Sequence, residues 1–154
     1  MVINANRGLK GICAGTSMLL GLAFLGPVHA DEEVVIDYRQ GVMKAIGGNM
    51  SSLAAVLVDG ADYRANLARH ARFIAEFLED VPALFPEGSD FGETDALMAI
   101  WDEPAKFEER SADTHQAALR LLEAVEREDD TMAARFRELG ESCRACHEDF
   151  RRRD

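Results

Sequence analysis

The sequence holds only four prolines, one tryptophan and three cysteines in 154 residues, and aromatic residues make up 7%. With so few prolines and few β-branched runs, the composition leans helical. Basic residues are also the minority: 17 Lys plus Arg stand against 28 Asp plus Glu, for a formal charge of −11. An acidic surface repels phosphate backbones and anionic headgroups, which excludes nucleic-acid binding and peripheral membrane binding. No apolar run reaches the roughly 18 residues that a permanent membrane span needs. What is present is ordinary globular material, 47% hydrophobic and 29% charged, at a length that fits one domain.

Acids are missing altogether from the first thirty residues, which carry only Arg7 and Lys10 as charges. An apolar run from Ser17 to Leu25 follows, then Gly26-Pro27 and the short stretch Val28-His29-Ala30. That order predicts a secretory signal over residues 1–30, cleaved to leave a domain at 31–154 in the periplasm. The cleaved chain would keep 15 basic and 28 acidic residues, a charge of −13. Cys13 would leave with the signal, so that Cys143 and Cys146 are the only thiols left, beside His70, His115 and His147.

Apolar periodicity predicts four helices and no strand. From Asp31 to about Val58 the stripe is Val35, Tyr38, Val42, Ile46, Met50, Leu53 and Leu57, in steps of three and four. Gly47-Gly48 weakens that helix and invites close approach by a neighbouring backbone or ligand. A second helix, from Asp62 to about Glu79, points Tyr63, Leu67, His70, Ile74, Phe77 and Leu78 inward. Pro82, Pro86, Gly88 and Gly92 make residues 81–103 a long crossover, pinned to the core by Phe85, Phe91, Leu97, Ile100 and Trp101. Pro104 suits the first position of a third helix, which runs to about Glu128 with Phe107, Ala112 or Thr114, Ala118, Leu121, Leu122 and Val125 inside. Asp129-Asp130 caps a fourth, with Met132, Phe136, Leu139, Cys143, Cys146, His147 and Phe150 down one side. The expected fold is therefore all-α, an antiparallel four-helix bundle.

The residues that carry chemistry are Cys143-Arg144-Ala145-Cys146-His147, a C-x-x-C-H motif. Two thiols three residues apart share one helical face, where each can form a thioether with a haem vinyl group. The imidazole beside the second cysteine then lies under the ring, in reach of the iron. Other uses of two cysteines fit less well. A redox dithiol normally opens a helix after a strand, and no strand is expected. A zinc site lacks its second pair of ligands. A disulfide within one helical turn closes almost no loop and stabilises little. One covalently attached haem c, near the C-terminal end of the last helix, is the reading that remains.

Three blocks of sequence then show a resemblance. They are Tyr38-Arg39-Gln40-Gly41-Val42-Met43-Lys44 with Ile46-Gly47-Gly48; Phe85 to Asp90 followed by Ile100-Trp101 and Pro104 to Phe107; and Cys143 to His147 followed by Phe150-Arg151. In that order they resemble the class II c-type cytochromes, the cytochrome c′ and cytochrome c-556 family. The resemblance implies that Met43, four residues after Arg39, faces the iron from the side opposite His147. In the c-556 branch a methionine there is the sixth ligand, and in the c′ branch the iron is left five-coordinate. Arg39 corresponds to the family arginine that meets a haem propionate, with Gln40 assisting, and Arg151 to a basic residue on the proximal side. Met50 and Met132 are expected in the core, and His70 and His115 at the surface or in hydrogen bonds.

Two functions follow as expectations. The first is a periplasmic one-electron carrier with His147 and Met43 on the iron, its acidity steering it toward basic faces on redox partner proteins. The alternative is a five-coordinate protein of the cytochrome c′ kind that binds NO or CO. No acid–base pair is placed near the distal position, which argues against catalysis. The family resemblance allows a monomer or a homodimer.

Overall fold

The computed structural model describes residues 32–153; the expected signal segment, with Cys13 and His29, lies outside the described residues. Four long helices form the bundle: α1 (Glu32–Leu57), α2 (Leu67–Leu78), α4 (Pro104–Glu126) and α5 (Met132–Phe150). A short α3 (Ala99–Asp102) and two 3₁₀ turns, Arg64–Asn66 and Val81–Leu84, lie in the connections. No strand is present among the described residues; the one β-bridge joins Ala96 to Arg151. Helix α1 packs on α2 and α5, and α4 packs on the same two, so the four close around one core. Leu53, Ile74, Leu121 and Leu139, one from each long helix, are its most deeply buried side chains.

Helix ends follow their chemistry. Gly60 takes a φ of +80° just past α1, a conformation that a side chain would resist. Pro104 occupies the first turn of α4 as expected. Ahead of α5 only Asp129 acts: its Oδ1 accepts from the Thr131 amide at 2.8 Å and the Thr131 hydroxyl at 2.6 Å. Those two bonds hold the Asp129 carboxyl below its usual range.

Several inward assignments differ from expectation. Tyr38 is 62% exposed, while Ile36 and Arg39 point inward in the same turns. The inner face of early α1 includes a charged residue, which an apolar stripe passes over. Tyr63, 66% exposed, lies before α2, because the chain makes a 3₁₀ turn at 64–66 before the α-helix starts at Leu67. Phe77 sits at the α2 surface, stacked on Phe73 with ring centroids 4.5 Å apart. Phe91 is exposed and does not pin the crossover. In α4 it is Thr114, not Ala112, that faces inward. Gly47 and Gly48 are exposed, and a Cβ on either would meet nothing within 4 Å, so among the described residues no neighbouring backbone packs against them.

The crossover is anchored by aromatic edges. Phe85 meets Trp101 and Phe107 edge-on at 6.3 and 5.0 Å between centroids, and Phe107 meets Phe150 at 5.1 Å. Such edge-to-face pairs add a preferred orientation to the area that they bury. The ladder runs from the crossover through α4 to the end of α5, where the Cys-x-x-Cys-His motif lies.

Candidate haem site

Helix α5 carries Cys143, Cys146 and His147 in its last two turns. Both cysteines are half-buried free thiols packed against the core cluster. Burial raises the Cys143 pKa, and burial together with the neighbouring Cys143 and Asp149 pushes Cys146 up to about 11. Both groups are therefore S–H at neutral pH, the state whose hydrogen a thioether-forming addition transfers to a vinyl carbon. His147 lies at the exposed edge of α5. The protein behind its ring, and then the charge of Arg151, lower its pKa and favour the neutral imidazole that binds metals. Among the described residues no cluster of three or more His, Cys, Asp or Glu could hold a bare metal ion. This donor set, two thiols and one imidazole on one helical face, fits haem c and not a zinc ion.

The end of α5 is tied to its neighbours. Asp149 accepts from Arg110 Nε at 3.1 Å and pairs with Lys106 at 3.4 Å, linking α5 to α4. Thr114 of α4 and Ser142 of α5 share a hydroxyl contact of 2.8 Å, one residue before Cys143. Arg151 donates its amide to the His147 carbonyl at 3.0 Å, and its side chain pairs with Asp95 at 3.6 Å.

On α1, Met43 is half-buried against the core, and Met50 likewise; Met132 is buried. His70 Nδ1 lies 2.7 Å from Asn49 Oδ1, a hydrogen-bonded position. Asn49 donates its amide to Ala45 O, which leaves its Oδ1 toward the ring.

Arg39 has a setting that the sequence did not disclose. It is 3% exposed. Nη1 donates to Ser89 Oγ at 2.9 Å and to Leu84 O at 3.4 Å; Nη2 donates to Ser89 O at 3.0 Å and Thr94 Oγ1 at 2.9 Å. Its guanidinium carbon also stands 4.5 Å over the Phe85 ring. Burial lowers its pKa, and it pairs with no carboxylate among the described residues. Gln40 bonds to the Glu93 carbonyl on the same crossover. Ser89 and Thr94, both buried, are site residues that sequence reading missed. They sit in an irregular segment without periodicity, and only the paired family arginine hinted that something must receive its donors.

A family model described as Cytochrome C′ matches residues 34–151. The chain is 34% identical to a cytochrome c′ of Rhodospirillum rubrum over 79% of its own length and 84% of that protein's. It is 33% identical to a cytochrome c-556 of Agrobacterium fabrum, covering 93% of this chain and 95% of the relative. Among solved structures it is similar to a nitric oxide complex of a leucine mutant of cytochrome c prime from Alcaligenes xylosoxidans. That likeness has a TM-score of 0.74 at 25% identity and covers 80% of this chain and 98% of the other.

Proposed function

Because the chain belongs to the cytochrome c′ family, and so carries covalently attached haem c, we propose that it binds NO or CO on the face of the haem opposite His147. The observation that carries this reading is the nitric oxide complex of the structural neighbour, whose bundle this chain shares over 80% of its length. Bound haem c would supply an iron that changes oxidation state and can take a diatomic molecule. Cys143 and Cys146 hold the group to α5, and His147 presents a neutral imidazole to the iron. Met43 lines the opposite side, where its thioether and methyl restrict access and keep water out. Arg39, with neutral acceptors and no carboxylate partner among the described residues, faces a haem propionate, whose negative charge offsets burial of the guanidinium. Gln40, beside Arg39 on α1, bonds to the crossover at Glu93, and Arg151 flanks the group on the proximal side.

A second reading keeps Met43 on the iron and makes the protein a one-electron carrier. It is favoured by the methionine itself and by the c-556 relative. Thioether sulfur stabilises ferrous iron, and a closed six-coordinate site changes little between oxidation states. The acidity of the chain would then direct it to basic faces on redox partners, with an on-rate that falls as salt rises. Export to the periplasm belongs to either reading; among the described residues no helix is long and apolar enough to cross a membrane.

Met43→Ala separates the two. Under gas binding, the ferrous wild type takes CO and Met43→Ala takes it about tenfold faster, a change of about 1.4 kcal/mol in the barrier. The ferric spin state stays the same. Stopped-flow mixing with CO and a ferric spectrum read both. A wild type inert to CO, converted from low spin to high spin by Met43→Ala, would overturn gas binding in favour of electron transfer.

A further inference from the structure

The helix that carries Met43 and the helix that carries His147 are joined by a strap, and one buried threonine connects both ends of it. Residues 95–97 of the crossover pair with residues 150–152 just past α5: Leu97 N donates to Phe150 O at 2.9 Å, and Arg152 N to Asp95 O at 2.8 Å. Ala96 and Arg151 form the antiparallel bridge between those bonds. Arg152 Nη2 adds bonds to Thr94 O at 2.7 Å and to Asp95 Oδ1 at 3.1 Å. The other side of Thr94 faces α1, where its Oγ1 accepts from Arg39 Nη2 at 2.9 Å. Thr94 is 8% exposed, and its hydroxyl oxygen also accepts from the Ala96 amide at 3.2 Å.

We propose that Thr94 is a positioning residue, which holds α1 at a fixed distance from the end of α5 and so sets how closely Met43 stands over the iron. Met43 is one helical turn beyond Arg39, and His147 one turn before Arg151, so each end of the strut acts within a turn of a residue that faces the haem. No carboxylate of the described residues neighbours the guanidinium, and within the protein its position depends on the neutral acceptors that Ser89, Leu84 and Thr94 provide. Removing the Thr94 hydroxyl leaves one donor of a buried cation unmatched, and α1 gains freedom where Met43 is attached. The inference rests on the haem seat between Met43 and His147, which Met43→Ala tests separately.

The experiment uses the holoprotein. Thr94→Val keeps the shape and removes the oxygen; Thr94→Ser restores it. Thr94→Val is expected to speed CO association with the ferrous protein about fivefold, in the range that coupling networks carry, and to leave the ferric spin state unchanged. Thr94→Ser is expected to stay within about twofold of wild type. Arg152 is exposed; Arg152→Ala loosens the strap from the solvent side and is expected to move the CO rate in the same direction by about twofold. A lowered melting temperature for Thr94→Val, with the CO rate unchanged, would overturn the proposal and leave Thr94 merely structural. Should Thr94→Val fail to accumulate, an unchanged CO rate in Arg152→Ala would overturn it equally. If Met43→Ala itself leaves the CO rate unaltered, the haem seat is wrong; if Met43→Ala accelerates CO and Thr94→Val does not, the strut alone is wrong.

Discussion

A chain with both thiols replaced, Cys143→Ser with Cys146→Ser, is expected to retain no covalent haem. Thioether formation adds S–H across a vinyl double bond, and a serine hydroxyl does not undergo that addition under the same conditions. Both side chains are half-buried at the edge of the core, so oxygen for sulfur leaves the helix able to form. Either single replacement leaves one thioether and a looser haem; the double one removes every covalent bond to it. Mass spectrometry of the denatured protein reads the result directly, as the mass of the bare polypeptide, and organic extraction frees any haem still bound. Haem that stays with the denatured double mutant would place the attachment elsewhere.

The second large effect is on stability. Arg39→Ala is expected to lower the unfolding free energy by about 3 kcal/mol, because buried acceptors lose a charged donor and the space left is poorly filled. Ser89 Oγ can still donate to Pro86 O at 2.8 Å, and Thr94 Oγ1 keeps the Ala96 amide. The carbonyls of Leu84 and Ser89 lose a donor. Arg39→Lys is expected to recover little, since an ammonium does not reproduce the fork that reaches Ser89 and Thr94 together. Urea unfolding of the holoprotein checks both variants. A loss below about 1 kcal/mol for Arg39→Ala, the size of one ordinary hydrogen bond, would mean that the crossover holds its place without the guanidinium.

The bundle was legible because its signals are local. Apolar residues recur at helical spacing, and Pro104 opens one helix. The Cys-x-x-Cys-His motif was legible for the same reason, since its geometry is contained in five consecutive residues of one helix. In the first turns of α1 the apolar stripe takes Tyr38 as inward and gives no sign of Arg39, whose inward place only the family resemblance implies; in the structure Arg39 faces inward and Tyr38 outward. A charge is assigned to solvent unless its partners are known, and these partners lie 45 to 55 residues away. The strap from Thr94 to Arg152 escaped notice for a related reason. It depends on backbone carbonyls and amides, which every residue has, so no residue type marks it. Helix α2 began five residues later than Asp62 because Tyr63 to Asn66 turns more tightly, as a 3₁₀ segment.

The proposed function places an iron that His147 holds on one side and that a small gas can reach past Met43 on the other. Optical and EPR spectra of the holoprotein, ferric and ferrous, before and after carbon monoxide, test it most directly. The expected result is a high-spin ferric signal and a ferrous spectrum that shifts on adding the gas. A low-spin ferric signal with the far-red methionine–iron band, and no response to carbon monoxide, would contradict it and assign Met43 to the iron and the protein to electron transfer.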